Sequence, residues 1–158
     1  MAQTFPERAH IRRARPADAA AVRDLTRSAY AKWVPLIGRE PVPMAADHEC
    51  AVREHMVDLL FIGAGLVGLI ETVREADHLL IENVAVSPPY QGRGYGRRLL
   101  AHAERLAASL GLPELRLYTN ERFSANVELY GRLGYTVDRE EPFMGSFKIH
   151  MSKRLVVT

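Results

Sequence analysis

Cysteine, lysine and long apolar runs are all scarce in this chain, and each scarcity excludes a class of protein. The single cysteine, Cys50, excludes an internal disulfide and a metal cage built from cysteine alone. The longest uncharged apolar run, residues 59–70, is interrupted by three glycines and is too short to cross a bilayer. Charged residues such as Glu7 and Arg8 occupy the N-terminal stretch, so no signal peptide is expected. A cytoplasmic protein is the resulting expectation, with no membrane partner.

The chain also lacks a strong excess of either charge. Lys and Arg total 21 and Asp and Glu total 19, a formal net charge of +2, which argues against a nucleic-acid partner. Only Lys32, Lys148 and Lys153 are lysines, so nearly all the positive charge is arginine, the side chain that binds phosphate through two hydrogen bonds. A length of 158 residues predicts one domain, residues 1–158.

The N-terminal part predicts one strand and two helices. Residues 10–15 read as a short strand, and Pro16 and Asp18 then signal a helix start. Apolar side chains at helical spacing extend that helix to about Lys32. Prolines and a glycine predict an irregular segment next, followed by a weakly periodic helix over residues 46–55.

The middle of the chain predicts strands and then the best helix. Residues 57–62 and 66–73 flank a glycine turn, and residues 79–86 form a third β-rich run, which indicates an antiparallel meander. A helix with a regular apolar face then ends at Gly111. The strand predicted at 114–119 should lie parallel to the preceding strand, through a right-handed crossover.

The last part predicts a short helix and a closing hairpin. Ser124 is expected to cap the helix and Gly134 to end it, and residues 135–139 and 147–151 read as paired strands. The fold class is therefore α/β (α+β), with a mixed, mostly antiparallel sheet of six to seven strands flanked by about four helices.

The segment that indicates chemistry is the glycine-rich run Gln91, Gly92, Arg93, Gly94, Tyr95 and Gly96, between a predicted strand and the best helix. Glycines let backbone approach a ligand closely, and a helix N-terminus offers free N–H groups, so the run predicts a site for phosphate or pyrophosphate. Arg93, Arg97 and Arg98 add positive charge beside it. The alternative is a glycine-rich turn with a solvated arginine face.

Other phosphate motifs fit less well. A Walker loop requires Gly-Lys-Ser/Thr, which is missing here. A dinucleotide fingerprint would need its third glycine at Arg97 or Leu99, and Glu114, at the usual distance for a ribose-binding acid, opens a strand instead of ending one. A nicotinamide-nucleotide oxidoreductase is therefore the weaker hypothesis.

The glycine-rich run resembles the acyl-CoA pyrophosphate loop of the GNAT superfamily of N-acetyltransferases. Its flanks, residues 79–100, resemble that family's fourth strand, loop and third helix, and residues 124–135 (SANVELYGRLGY) resemble its later helix. The resemblance implies a GNAT fold whose parallel strand pair splays apart at the cofactor site. It also implies direct transfer of an acetyl group from acetyl-CoA to a primary amine of a small molecule or peptide, through a ternary complex.

The resemblance also assigns the cofactor contacts. Backbone amides of the loop would bind the pyrophosphate, and the fourth strand would pair with the pantetheine arm, with a bulge presenting the Val84 amide to the thioester carbonyl. Asn126 would reach the cofactor from the later helix, although the commoner family position for that asparagine is Phe123 here. The implied cofactor-binding residues are Val84, Ala85, Val86, Gln91, Gly92, Arg93, Gly94, Tyr95, Gly96, Arg97, Asn126 and Tyr130.

Two residues are candidates for catalysis. Tyr130 occupies the motif position of a tyrosine near the CoA sulfur and would act as general acid, since an ordinary phenol, with a pKa of ~10, is protonated at neutral pH. Its alternative role is a core aromatic. Glu82 lies inside an otherwise apolar strand and is the candidate base, and its alternative is a structural carboxylate paired with an arginine.

Substrate-side residues are expected from the first helices and the following loop, with Tyr30 and Trp33 as the main candidates and Arg39, Pro41 and Met44 as further wall residues. Asn83, on the predicted strand 79–86, is a further substrate-side candidate that could position a water. For Trp33, a core contact at the end of the helix is slightly favoured over a place in the substrate wall. Strand alternation places Leu80, Glu82 and Val84 on one face and Asn83 on the other, unless a bulge intervenes.

Several questions stay open at the level of sequence. His48, Cys50 and His55 lack a fourth ligand and a tight spacing, so no metal is expected. A non-catalytic acyl-CoA sensor of the same fold is the alternative to an enzyme. The acceptor amine is not identified, and the oligomeric state is open, with a homodimer common among such folds.

Overall fold

A computed structural model describes residues 8–156, in which seven strands and five helices form, one helix being a single turn. The expectation about a signal peptide concerns in part residues 1–7, outside the described residues. The strands are β1 (Ala9–Arg13), β2 (Met56–Ile62), β3 (Gly65–Arg74), β4 (Leu79–Val86), β5 (Glu114–Asn120), β6 (Thr136–Phe143) and β7 (Ser146–Arg154). The helices are α1 (Ala19–Tyr30), α2 (Val34–Ile37), α3 (His48–Glu54), α4 (Tyr95–Ser109) and α5 (Ser124–Arg132).

All seven strands belong to one sheet in the order β1-β2-β3-β4-β5-β7-β6. Every neighbouring pair is antiparallel except β4 and β5, which run parallel. The predicted fold class, a mixed and mostly antiparallel sheet with one parallel pair, is confirmed.

Helices cover both faces of the sheet because each presents one apolar stripe. On one face α4 buries Leu99, Leu100 and Ala103 against the strands. On the other face α1 buries Val22 and Leu25. The sheet is therefore the middle layer between two hydrophobic clusters. No helix among residues 8–156 is long and apolar enough to cross a membrane.

The parallel pair opens into a wedge. β4 and β5 pair only from Leu79 opposite Leu115 to Ile81 opposite Leu117. Beyond that point β4 continues to Val86 without pairing with β5. The predicted splay is confirmed, and it leaves the β5-facing edge of β4 without a strand partner there.

A β-bulge lies at Glu82, where the wedge begins. Along the β3–β4 pairing Thr72 lies opposite Ile81 and Glu71 opposite Asn83, so Glu82 is the extra residue of β4. A bulge of this kind bends its strand and redirects the side chains that follow.

The bulge interrupts the alternation of β4, which was expected only for a strand without one. Val84 packs against the same hydrophobic cluster as Ile81, whereas an unbroken strand would place it with Leu80 on the opposite face. Asn83 faces α1 instead, through a hydrogen bond of 3.2 Å to Thr26. One inserted residue is sufficient to move the following side chains to the opposite face of the sheet, because the side-chain period of a strand is two.

Two predicted boundaries also differ. The α-helix of the first segment ends at Tyr30, and a 3₁₀ turn, Ala31–Trp33, follows it. Phe123 occupies the cap position of α5 with no side-chain capping bond, so Ser124 is its first helical residue and the predicted serine cap is wrong.

Candidate active site

The glycine-rich loop exposes the N-terminus of α4. Gly92 and Gly94 have φ angles of 77° and 88°, a left-handed region that favours glycine, and Gly94 is the cap of α4. Gly96 has no such angle, and a Cβ placed on it would meet no atom within 4 Å. Neither backbone strain nor protein packing requires glycine at Gly96, so its small size leaves space for something outside the chain.

The loop is fastened to β4 by Gln91. Its Nε2 donates to the carbonyl of Val86 at 2.8 Å, and its Oε1 accepts from Nζ of Lys32 at 2.8 Å. Burial lowers the pKa of the Lys32 ammonium. Lys32 was not a predicted site residue, and its rarity as one of three lysines was the only signal.

A cavity opens beside this loop and is called the loop cavity. It brings together eleven of the twelve predicted cofactor residues, together with Lys32 and Arg132, which the sequence did not indicate. Arg93 is the exception: it does not line the cavity, and its guanidinium lies over the Tyr90 ring, 5.6 Å from the centroid. The predicted residues that line it are Val84, Ala85, Val86, Gln91, Gly92, Gly94, Tyr95, Gly96, Arg97, Asn126 and Tyr130.

A second cavity, open to solvent, lies in the wedge between β4 and β5 and is called the strand cavity. The two cavities adjoin, because Tyr30, Val84, Asn126 and Tyr130 line both. The polar and aromatic residues that line only the strand cavity include Arg39, Glu82, Asn83, Tyr118, Thr119, Asn120, Phe123, Phe143 and Lys148.

Glu82 meets a tyrosine from the neighbouring strand. The Tyr118 hydroxyl donates to Glu82 Oε1 at 2.8 Å. Burial, and then the hydrogen bond to Glu82, raises the pKa of Tyr118, so the phenol stays protonated and remains a donor. Glu82 forms no salt bridge with an arginine among residues 8–156.

Tyr118 was missed from the sequence although a signal existed. Ile81 lies opposite Leu117 in the parallel pair, so the next residue of each strand enters the wedge together. The sequence predicted that these two strands are parallel neighbours, and this was the signal. It did not predict which residues lie opposite one another, so the proximity of Tyr118 to Glu82 could not be derived.

Tyr130 lies where the cavities meet. Its ring packs edge-on against Tyr135, with ring centroids 5.9 Å apart. Burial raises the pKa of Tyr130 to about 12. Its hydroxyl makes no hydrogen bond to another side chain or backbone group within residues 8–156, so it is available to a ligand.

Tyr30 and Asn83 form a hydrogen-bonded bridge between α1 and β4. The Tyr30 hydroxyl lies 3.0 Å from Oδ1 of Asn83 and 3.3 Å from the carbonyl oxygen of Val84, and Asn83 Nδ2 donates to Thr26. Burial raises the pKa of Tyr30, which keeps it a donor. The Asn83 amide is thus engaged on both its oxygen and its nitrogen.

The polar groups of Val84 point into the wedge. The amide of Ser87 donates to the Val67 carbonyl of β3 at 2.8 Å. Because successive residues of a strand direct their polar groups to alternate edges, Val84 and Val86 direct theirs away from β3. The side-chain hydrogen bonds to both of their carbonyls agree with this orientation.

Some predicted substrate-side residues lie elsewhere. Trp33, at the end of the 3₁₀ turn, lines the loop cavity and stacks on Phe123 with ring centroids 4.5 Å apart. Met44 is buried and lines neither cavity. Arg39 and Pro41 line the strand cavity, as expected for wall residues.

The histidines near Cys50 make other contacts. His55 Nδ1 lies 2.6 Å from Oε2 of Glu71, and His48 is buried. Among the residues that the structure describes, no group of three or more His, Cys, Asp or Glu side chains could hold a metal ion.

A glycine-rich loop at a helix N-terminus, beside a splayed parallel strand pair, is thus the central feature of the site. The model of the acetyltransferase (GNAT) family matches residues 20–135, and the chain belongs to this family.

Related proteins agree with this assignment. The chain is 30% identical over 95 residues to a Spermidine N(1)-acetyltransferase of Thermoplasma acidophilum, a match that spans 58% of this chain and 59% of the relative. It is 35% identical over 81 residues to mouse N-alpha-acetyltransferase 80, a match that spans 51% of this chain and 24% of that protein. The matches thus span less than two thirds of either relative.

The fold is also that of a solved structure, the PaiA N-acetyltransferase of Thermoplasma acidophilum in complex with coenzyme A. The TM-score is 0.79 at 21% identity, over 94% of this chain and 99% of that one.

Proposed function

We propose that this protein transfers the acetyl group of acetyl-CoA directly to a primary amine of a small molecule or peptide, through a ternary complex. The observation that carries the proposal is the meeting of two cavities at Val84, Asn126 and Tyr130. One cavity ends at a phosphate-type loop and the other at a carboxylate. A thioester and an amine bound in the two cavities would therefore meet at shared residues.

The loop cavity fits coenzyme A. Gly96 leaves space that a Cβ would fill, and the first turn of α4 supplies N–H groups and partial positive charge for a pyrophosphate. Lys32, Arg97 and Arg132 add cationic side chains to the same walls. When bound, acetyl-CoA supplies an acetyl group already activated as a thioester.

The open edge of β4 would hold the acyl arm as an additional strand. Val84 directs its backbone groups into the wedge, so its N–H is the candidate donor to the carbonyl oxygen of the acetyl group. A donor fixed by a strand costs little reorganisation when negative charge develops on that oxygen.

Glu82 and Tyr130 divide the proton transfers. Glu82 would take a proton from the acceptor amine, directly or through a water, while Tyr118 holds the carboxylate at Oε1. Tyr130 would give its hydroxyl proton to the departing sulfur, and its high pKa keeps that proton in place until then. The proposed catalytic residues are therefore Glu82 and Tyr130, and Tyr118 is a positioning residue.

The test follows CoA release and acetylated product, by thiol detection and mass spectrometry, for purified protein with acetyl-CoA and a panel of amines. Amino acids, polyamines, aminoglycosides and short peptides form the panel. The proposal predicts acetylated product from at least one class, and loss of that product in Glu82→Gln. Tight acetyl-CoA binding without product from any class would contradict an enzyme and support the acyl-CoA sensor.

A further inference from the structure

The strand cavity has an unequal set of charges. Among residues 8–156, Glu82 is the only carboxylate that lines it, whereas both Arg39 and Lys148 line it as cations. A substrate that is only a cation would be attracted by one of these groups and repelled by two. The cavity is therefore not built for a polycation.

Neither cation is neutralised by the protein. Arg39 and Lys148 form no salt bridge within the described residues, while Arg27 pairs with Glu40 at 2.7 Å and Lys153 pairs with Glu104. Some cations elsewhere among the described residues thus pair with carboxylates, whereas Arg39 and Lys148, like Arg97, do not.

Arg39 has an unused donor as well. Its Nε is buried without a hydrogen-bond partner, and Nη1 donates only to the backbone carbonyl of Glu40, at 3.2 Å. A buried donor without an acceptor is costly and uncommon in native proteins. Because Nε itself is closed to solvent, a ligand in the cavity would meet the Nη groups of the guanidinium, which are not closed in this way.

The two cations converge on one aromatic ring. Lys148 Nζ lies 4.1 Å from the centroid of the Phe143 ring, and the Arg39 guanidinium carbon lies 5.5 Å from the same centroid. Lys148 Nζ also lies 4.5 Å from the centroid of the Tyr118 ring. Aromatic rings hold cations in position but offset only part of their charge.

The nearest acidic neighbour of Lys148 along the sheet is occupied elsewhere. Glu141 lies opposite Lys148 in the β6–β7 pairing. Its carboxylate is hydrogen-bonded to Arg139 at 3.1 Å and His150 at 3.0 Å, and the charge of Lys148 contributes less than these two to lowering the Glu141 pKa. Glu141 does not line the cavity.

Resting on the proposed function, we infer that the acceptor is a primary amine that carries its own carboxylate. Tyr118 lies between the two protein groups that would bind such a molecule, because its hydroxyl donates to Glu82 and its ring flanks Lys148. The amine would lie at Glu82 and the carboxylate at Lys148 and Arg39. The apolar wall of Ile37, Pro41, Val42 and Pro43 would receive an uncharged side chain.

Two sources supply this chemistry, a free amino acid or a short peptide with an acidic residue next to its terminal amine. The experiment compares kcat/KM for apolar amino acids, their amides, an N-terminal aspartyl dipeptide amide and spermidine. In the wild type the amino acid is expected to exceed its amide by about tenfold or more. A preference for the dipeptide amide over the free amino acid would assign the peptide source.

Lys148→Met and Arg39→Met test the cations. Each is expected to reduce kcat/KM for the carboxylated acceptor by about tenfold while changing that for the amide by less than about twofold. Lys148→Glu should shift the preference towards spermidine. The matched control, Lys153→Met on the same strand, should leave the ratio of acid to amide unchanged.

A second readout separates this inference from the proposed function. Binding of the same acids and amides to the CoA-saturated protein is measured by calorimetry. Acid binding that depends on Lys148, with no turnover, would support the inference and contradict the enzyme. Turnover in which kcat/KM for the amides and spermidine equals or exceeds that for the carboxylated amines would overturn the inference and still support the proposed acetyltransferase activity. The absence of both turnover and Lys148-dependent binding would overturn the inference too.

Discussion

Tyr118 Oη donates a 2.8 Å hydrogen bond to Glu82 Oε1 across the point where β4 and β5 cease to pair. The bulge at Glu82 and the end of the parallel pairing coincide there, so one inserted residue places a carboxylate in the mouth of the wedge. A tyrosine from the next strand then fixes its orientation. The site therefore depends on sheet geometry as much as on residue type.

Tyr118→Phe should lower kcat by about tenfold with a smaller change in KM, because Glu82 loses the donor that orients it. If Tyr118 acts through Glu82, the substitution should have almost no further effect in a Glu82→Gln background. Steady-state kinetics of the two single variants and the double variant measure this coupling. Additive effects would show that Tyr118 acts independently of Glu82.

Tyr130→Phe should lower kcat by about tenfold to a hundredfold while the Kd for acetyl-CoA changes by less than about twofold. Because burial raises the pKa of Tyr130 to about 12, the phenol stays protonated through alkaline assays. Loss of the Tyr130 proton therefore does not explain a fall in rate at a pH well below about 12. The pH profile of Tyr130→Phe should accordingly keep the shape of the wild-type profile. Tyr135→Phe is the matched control, since the Tyr135 hydroxyl is buried without a partner. Unchanged turnover in Tyr130→Phe would remove it from the acid role.

Gly96→Leu should raise the Kd for acetyl-CoA by at least about tenfold, because the new side chain occupies the space where the loop meets its ligand. Gly131→Leu in α5 is the control, since Gly131 also has open space around it but lines neither cavity. Calorimetric titration measures both Kd values, and circular dichroism checks the fold. Wild-type affinity in the folded Gly96→Leu protein would mean that the cofactor does not bind at this loop.

Asp18→Asn should reduce the free energy of unfolding by about 1 kcal/mol at neutral pH, a figure discounted for solvent screening. Hydrogen bonds from the Arg12 guanidinium, 2.9 Å away, and from the backbone N–H of Arg15, 2.8 Å away, lower the pKa of Asp18 from 3.8 to about 2. Because the pKa of Asp18 is lower in the folded protein, its ionised carboxylate stabilises the fold at pH values above 3.8, the pKa expected in the unfolded chain. This stabilisation is lost as the pH falls from 3.8 towards 2. Urea unfolding of wild type and variant, at neutral pH and at about pH 3, should show a difference that shrinks with acid. The control is Asp24→Asn on the exposed side of α1, and an acid-independent difference would contradict the ion pair.

Local patterns predicted the elements around the loop, because their signals lie within a few residues of one another. Residues 79–86 were predicted as the strand that β4 forms, and Gly111 follows α4 as expected. Glycine content and helix position likewise predicted the loop from Gln91 to Gly96, since both depend only on local backbone chemistry.

Long-range register could not be predicted in the same way. The run LLIENVAV reads as an unbroken period of two, and the extra residue at Glu82 becomes visible only in its pairing with β3. The contacts of Tyr118 and Lys148 depend on β5 and β7 lying side by side. The change from helix to 3₁₀ turn at Ala31–Trp33 was likewise not visible in the apolar spacing.

The central claim, direct transfer between two substrates bound together, is tested by initial rates with acetyl-CoA and an acceptor amine both varied. Intact-mass measurement of the protein after exposure to acetyl-CoA alone accompanies the kinetics. The account predicts intersecting double-reciprocal lines and no acetylated protein, because the two adjoining cavities hold both substrates at once. Parallel lines together with an acetylated protein that passes its acetyl group to the amine would contradict it.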